Sequence, residues 1–267
     1  ALITGKCTAV VIDNGTLFEL KLRLTHEEQA KTQVVTKLAP LGDLYVCDAF
    51  AAAHRDQPTL CGFEMVMPSA MGRLFEEEYC AVSKVMENPE HPCVFILGGS
   101  KISDAFMMME TVLSRGVADK VLTGGLVANI LLAAAGEEIG EASMAFIRKQ
   151  NYEDWIEKIK PLYNQYKDQI VLPKDLAYVE NGERKEARVG EIPKEVGLVD
   201  IGHEAAAEYR ELILAAKTIC VNGPMGIFEE TITEYGTKAV WQAMADSEGY
   251  SLIGGGDSVT ATEKYDL

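Results

Sequence analysis

Three consecutive glycines, Gly254, Gly255 and Gly256, follow the apolar run "YSLI" and lead straight into Asp257 and Ser258. Glycine removes any side chain that would block a closely approaching ligand. The helix-forming segment that follows would present free N–H groups and the positive end of a dipole to an anion. The chemistry open to these residues is phosphate binding, with Ser258 on a phosphate oxygen and Asp257 on magnesium. Mg²⁺ needs only one or two carboxylates beside phosphates and water. A helix cap could also use Asp257 or Ser258, but a cap does not need three glycines before it.

Comparable pieces recur. In "ILGGSKISDAF" (96–106), Gly98 and Gly99 precede Lys101, whose ammonium, in the first turn of a helix, could meet a phosphate held by backbone amides. A surface lysine beside a tight turn is the plainer alternative. In "VNGPMGIFEE" (221–230), Asn222, Gly223 and Pro224 make a rigid corner, and Glu229 could accept from ribose hydroxyls. The alternative there is that Glu229 and Glu230 decorate a helix N-terminus for about 0.3–1 kcal/mol, the reading preferred for Glu230. Gly124 and Gly125 close "DKVLTGGL" (119–126), and His54 and Arg55 follow "DAFAAA". Arg23 sits on the mostly apolar "LKLRL". Arginine suits bidentate recognition of carboxylate or phosphate, although a lone arginine is more often a salt-bridge partner. The methionines of "FMMMET" (106–111) read as core.

The elements that must position these residues repeat one pattern. Short β-branched runs at 43–50, 92–100, 119–126, 168–175, 197–202, 217–226 and 250–258 end in Gly, Asp or Pro, and helical spacing often follows, as at 204–216 and 233–246. Such continuous apolar runs suit strands covered on both faces of a parallel sheet, and their alternation with helices predicts an α/β fold of βαβ units. Ligands bind outside the carboxyl ends of such strands, which is where the glycine loops fall. The stretch 72–92 has helical spacing stopped by two X-Pro pairs and reads as a helix joining two domains. The charged stretch 180–196 reads as a surface hairpin or loop.

The bulk composition narrows the function. The 267 residues are 48% hydrophobic, enough for one large domain or two ordinary ones. A net charge of −16 argues against nucleic acid, which needs a concentrated basic footprint. The six cysteines and four histidines are dispersed, with no zinc-ligand spacing and no CxxC, which fits a reducing, cytoplasmic compartment. The longest apolar stretch, "GLVANILLAAAG", is too short to span a bilayer. Neither GxxxxGK[ST] nor a GxGxxG at a strand-to-helix turn is present, so phosphate chemistry here uses another layout.

Taken together, the pieces resemble phosphoglycerate kinase. "DAFAAAHR" is similar to that family's "DAFGTAHR", "ILGGSK" to "ILGGAK", "NGPMGIFE" to "NGPMGVFE" and "IGGGDSV" to "IGGGDTV". The order and spacing agree from about residue 17 onward. The resemblance implies two Rossmann-like three-layer α/β domains with parallel sheets facing a cleft: residues 1–72 as part of a phosphoglycerate-binding domain, 73–92 as an interdomain helix, and 93–267 as a nucleotide-binding domain. It implies reversible phosphoryl transfer between ATP and the carboxylate of 3-phosphoglycerate, giving ADP and 1,3-bisphosphoglycerate, in a monomer or homodimer that uses Mg²⁺.

Carried over by match, Arg23 and Arg55 would hold phosphoglycerate, and Lys101 would neutralise the transferring group. Gly98, Gly99, Gly124, Gly125, Asn222, Gly223, Pro224, Glu229, Gly255, Gly256 and Ser258 would surround the nucleotide. Asp257 would take the metal, with Asp104 adding to its shell. Two departures stand out. Ala105 occupies the position of a second family lysine, and "FELKLRL" replaces "LENLRF" around Arg23. The family's "DFNVP" strand, "SHLGRP" loop and late "TGGGAS" segment have no counterpart here, so the sequence is expected to be an incomplete copy. A nicotinamide-dependent oxidoreductase and a non-catalytic nucleotide-binding relative are the alternatives.

Overall fold

The computed structural model describes residues 25–53 and 55–267, so the expectations placed on Arg23 and His54 lie outside the described residues. The chain divides into two compact units, one ending at Ala81 and one running from Val82 to Leu267.

In the first unit, α1 (His26–Ala30) and α2 (Gln33–Leu38) precede two short parallel strands, β1 (Tyr45–Cys47) and β2 (Ser69–Met71). A reciprocal capping box starts α1: Thr25 Oγ1 accepts the Glu28 N–H at 3.3 Å, and Glu28 accepts the Thr25 N–H at 2.8 Å. After β2 comes α3 (Arg73–Glu87), and the division between the units falls inside it. It ends where the proline-bearing stretch 88–92 begins, because a residue preceding proline is pushed out of the helical region.

The second unit opens with β3 (Cys93–Leu97), α4 (Ile102–Ser114), β4 (Lys120–Thr123) and α5 (Gly125–Ala135). Then come α6 (Glu141–Lys149), α7 (Glu153–Tyr166), β5 (Ile170–Val171), β6 (Asp175–Glu180), β7 (Glu183–Arg188) and β8 (Leu198–Ile201). It closes with α8 (His203–Ala215), β9 (Thr218–Asn222), α9 (Tyr235–Asp246), β10 (Tyr250–Gly254) and α10 (Gly256–Tyr265). Five strands form a parallel sheet in the order β10-β9-β3-β4-β5.

All five residues of β3 are buried, and the two-residue period of a strand sends them to opposite cores. Cys93, Phe95 and Leu97 pack with α4, α5 and α7, whereas Val94 and Ile96 pack with α8 and α9. Ile219 and Val221 of β9 join the second core and Cys220 the first, so helices cover both faces. This is the reason the runs are continuously apolar.

Successive crossovers leave β3 in opposite directions, to β4 on one side and, later in the chain, β9 on the other. The gap between β3 and β9 is therefore the topological switch point, where loops diverge and leave a crevice.

Two sequence expectations need correction. The run 197–202 supplies β8, but β8 lies in a separate three-stranded sheet, β7-β6-β8, antiparallel to β6. Its central strand β6 hides in "DLAYVE" beside a charged turn. The expected hairpin at 180–196 is β6–β7, turning at Asn181 and Gly182, both at positive φ. The methionine run is only partly core: Met109 is fully buried, whereas Met107 is 61% exposed.

Candidate active site

The loops after β3, β4, β9 and β10 meet at the switch point through their own backbones. Gly98 N–H donates to Asn222 O at 3.0 Å and Gly99 N–H to Pro224 O at 2.8 Å. Gly124 N–H donates to Leu97 O at 3.0 Å, and Gly125 N–H to Met225 O at 2.6 Å. The fourth loop joins through a side chain, the Ser258 hydroxyl accepting the Gly223 N–H at 2.8 Å.

These bonds explain why the loops need glycine. A Cβ on Gly98 would sit 2.1 Å from Pro224 O, and one on Gly124 would sit 2.6 Å from Met225 Sδ. Four strand ends converge because no side chain keeps them apart.

The loops edge a cleft of about 410 Å³. Gly99, Gly125, Pro224, Glu229 and Asp257 line it, as does Ser100. Gly98, Gly124, Asn222, Gly223, Gly255, Gly256 and Ser258 are not among the lining residues; those in contact with another loop, such as Gly98 and Gly124, hold it in place from behind. Ser258 is fully buried, with its hydroxyl committed to Gly223. Lys101 is exposed at the N-cap position of α4, one residue before its first turn, with no carboxylate partner among the described residues. Asp104 is exposed in the first turn of α4 and does not line the cleft. Ala105, at the position of the second lysine, is 3% exposed and packs into the core. In the first unit, Arg55 is exposed.

Two plainer alternatives are overturned. Glu229 and Glu230 decorate no helix start, because α9 begins at Tyr235; both carboxylates are exposed, and Glu229 faces the cleft. Neither Asp257 nor Ser258 caps α10, whose N-cap is Gly255 at φ +87° with no side-chain cap bond. Asp257 stands exposed in the first turn, at the cleft, with no ion pair among the described residues. A free carboxylate beside a helix start and bare amides fits a magnesium ion brought with a polyphosphate.

The cleft is also lined by residues the sequence did not single out. Phe146 on α6 offers an aromatic face, 47% exposed, and Asn129 on α5 lines the same cleft. Asp200 at the end of β8 is 3% exposed. One of its oxygens, Oδ2, accepts the Gly236 N–H at 2.6 Å and Arg184 Nη1 at 3.0 Å. Burial raises the Asp200 carboxyl to about 6 against the opposing pull of Gly236 and Arg184. A single acidic residue inside the apolar run "GLVDIG" was the available signal.

An open, doubly wound α/β sheet with a glycine-lined cleft at its switch point defines a class of small-ligand and nucleotide-binding folds. Within that class, a family model for phosphoglycerate kinase matches residues 9–267, and the chain belongs to that family. It is 44% identical over 261 residues to phosphoglycerate kinase of Methanothermobacter thermautotrophicus, covering 97% of this chain and 63% of the relative. It is 40% identical to that of Thermoplasma volcanium, over 97% of this chain and 64% of the relative. The crystal structure of phosphoglycerate kinase from Pyrococcus horikoshii superposes with a TM-score of 0.85 at 38% identity, covering 91% of this chain and 61% of that one. The structure from Coxiella burnetii gives 0.78 at 31% identity, covering 90% of this chain and 62% of that one. The chain thus spans about 63% of the length of the curated relatives it matches. The oxidoreductase alternative finds no support in these likenesses.

Proposed function

We propose that the protein to which this chain belongs moves a phosphoryl group reversibly between ATP and the carboxylate of 3-phosphoglycerate. The observation that carries the reading is the meeting of four glycine-bearing strand ends around one cleft that also exposes Glu229 and Asp257. Phosphoryl transfer needs little covalent help from protein; it needs in-line positioning and neutralisation of charge. A P–O bond to the substrate carboxylate forms as the bond between the γ-phosphorus and its bridging oxygen breaks. The substrate carboxylate is already ionised, so no general base is required.

In this reading Glu229 accepts from the ribose hydroxyls, and the backbone of Gly99 and Gly125 lies against the nucleotide. The Lys101 ammonium, free of any carboxylate partner among the described residues, meets the transferring group. Asp257 holds magnesium, which supplies charge neutralisation on the phosphates when bound, with Asp104 as a more distant contributor. Arg55 and Arg23 hold the phosphoglycerate. Residues 1–72 belong to the acceptor-binding part and 93–267 to the nucleotide-binding part, with 73–92 connecting them. Cys47, Cys61, Cys80, Cys93 and Cys220 are free thiols, compatible with a cytoplasmic setting.

A coupled turnover assay on the full-length protein tests the reading. Lys101→Ala should lower kcat by roughly 10²–10³-fold, the usual loss on removing one charge-stabilising donor. Unchanged turnover would mean that the Lys101 ammonium does not meet the transferring group.

A further inference from the structure

One side of the cleft rests on a buried ion pair that nothing in the phosphoryl chemistry itself requires. Asp200 is 3% exposed, and the Arg184 side chain that pairs with it at 3.0 Å is 14% exposed. Arg184 also donates from Nη2 to Ile201 O at 2.8 Å and from Nε to Glu186 at 3.1 Å. Glu186 in turn takes the His203 N–H at 3.0 Å and the His203 ring at 2.6 Å. The network joins β7, β8 and the start of α8, and through Gly236 it reaches the start of α9.

The Asp200 carboxylate is also wedged between two glycines. A Cβ on Gly226 would lie 2.3 Å from Val199 O and 2.7 Å from Asp200 Oδ1, and one on Gly236 would lie 2.4 Å from the same oxygen. Ile227 N–H completes the contact by donating to Val199 O at 2.8 Å. The segment that docks on Asp200 is therefore 224–229, which carries the cleft-lining Pro224 and Glu229. Asp200 Oδ1 is buried with no hydrogen-bond partner among the described residues. A buried carboxylate with one unsatisfied oxygen costs stability, and well-packed apolar residues would serve a purely structural contact as well or better.

We propose that Asp200, held by Arg184, is a positioning residue that fixes segment 224–229 and the start of α9 against β8, setting the place of Glu229 in the cleft for the nucleotide. The proposal rests on the reading of this cleft as the nucleotide site of a phosphotransferase. In this role Asp200 acts through the Gly226 and Gly236 backbones. Losing its charge takes one anchor from Arg184, which keeps Glu186 and Ile201 O, and loosens the segment on the nucleotide side only.

Asp200→Asn keeps the size and an acceptor for Gly236 but removes the charge. In the full-length protein it should raise KM for Mg-ADP roughly tenfold to a hundredfold, the usual consequence of small misplacement. KM for 1,3-bisphosphoglycerate should stay within twofold, and the denaturation midpoint should not fall. Gly226→Ala, which displaces the same segment while leaving the Asp200 charge in place, should reproduce the split and stands in should Asp200→Asn not fold. A nucleotide KM within twofold of the parent in both variants would overturn the proposal. So would equal shifts in both substrates accompanied by lost stability. Calorimetry of the unaltered protein separates the two levels: if it binds no Mg-ADP, the phosphotransferase reading itself fails and this inference falls with it.

Discussion

The Ser258 hydroxyl accepts the Gly223 N–H at 2.8 Å, tying the first turn of α10 to the corner after β9. A residue whose sequence setting suggests phosphate contact thus also holds two loops together. Ser258→Ala leaves that N–H without its partner at a part-buried place. The expected cost is about 1–3 kcal/mol in denaturant unfolding, with weaker nucleotide binding. A variant as stable as the parent would mean that the two loops do not depend on this bond.

Gly98→Ala tests the closeness of the loops. Its Cβ would meet Pro224 O at 2.1 Å, a backbone atom that cannot swing away. Overpacking of this kind costs about 1–3 kcal/mol or more, and the displaced corner should lose affinity for Mg-ADP. Gly116→Ala is the control, since none of the described residues lies within 4 Å of its Cβ, although its φ of +66° still imposes a backbone penalty. Equal nucleotide affinity in the two variants would remove close approach as the reason for Gly98.

Asp200 gives a pH signature. Burial lifts its carboxyl from 3.8 to about 6 despite Gly236 and Arg184. Between those values the folded protein binds a proton that the unfolded chain has already released, so stability falls as pH rises through the window. The contribution is on the order of 3 kcal/mol. Asp200→Asn has no such proton, and its unfolding free energy should decline less than the parent's between about pH 4 and about pH 6.5. Parallel pH profiles for the two would contradict the placement of this charge.

Asp119 should behave in the opposite sense. Burial alone would raise its carboxyl, but the Cys93 N–H and the His91 ring, each at 2.6 Å, outweigh that and hold it below the usual range. A lowered carboxylate stabilises the fold above its unfolded value and loses that contribution as pH falls through the folded one. Acid titration of Asp119→Asn should therefore show a shallower loss below about pH 4 than the parent.

The parts of this architecture that are legible in the sequence are those encoded locally. "CVFIL" is apolar at every position because its residues alternate between two helix-covered cores, and an unbroken apolar run announces that. Glycines after strands mark backbone approach, and they do converge. The Asp200–Arg184 pair is not legible. Arg184 sits in "ENGERKEARVG", where every neighbour suggests solvent, and only the pairing of β6 with both β7 and β8 turns it inward. β8 looks like a parallel strand because a four-residue, mostly apolar sequence carries no direction. The Ser258 hydroxyl announces a polar anchor in its loop, but its partner stands 35 residues away and no local pattern names it.

The most direct test of the central claim, that these strand ends jointly form a nucleotide cleft, is a calorimetric titration of Mg-ADP into the full-length protein and its Asp257→Ala variant, with NAD as the competitor. Such a cleft predicts saturable Mg-ADP binding that weakens at least tenfold in the variant, about the worth of one charge-assisted contact, and no comparable binding of NAD. Identical Mg-ADP affinity in both proteins, or tighter binding of NAD, would contradict it.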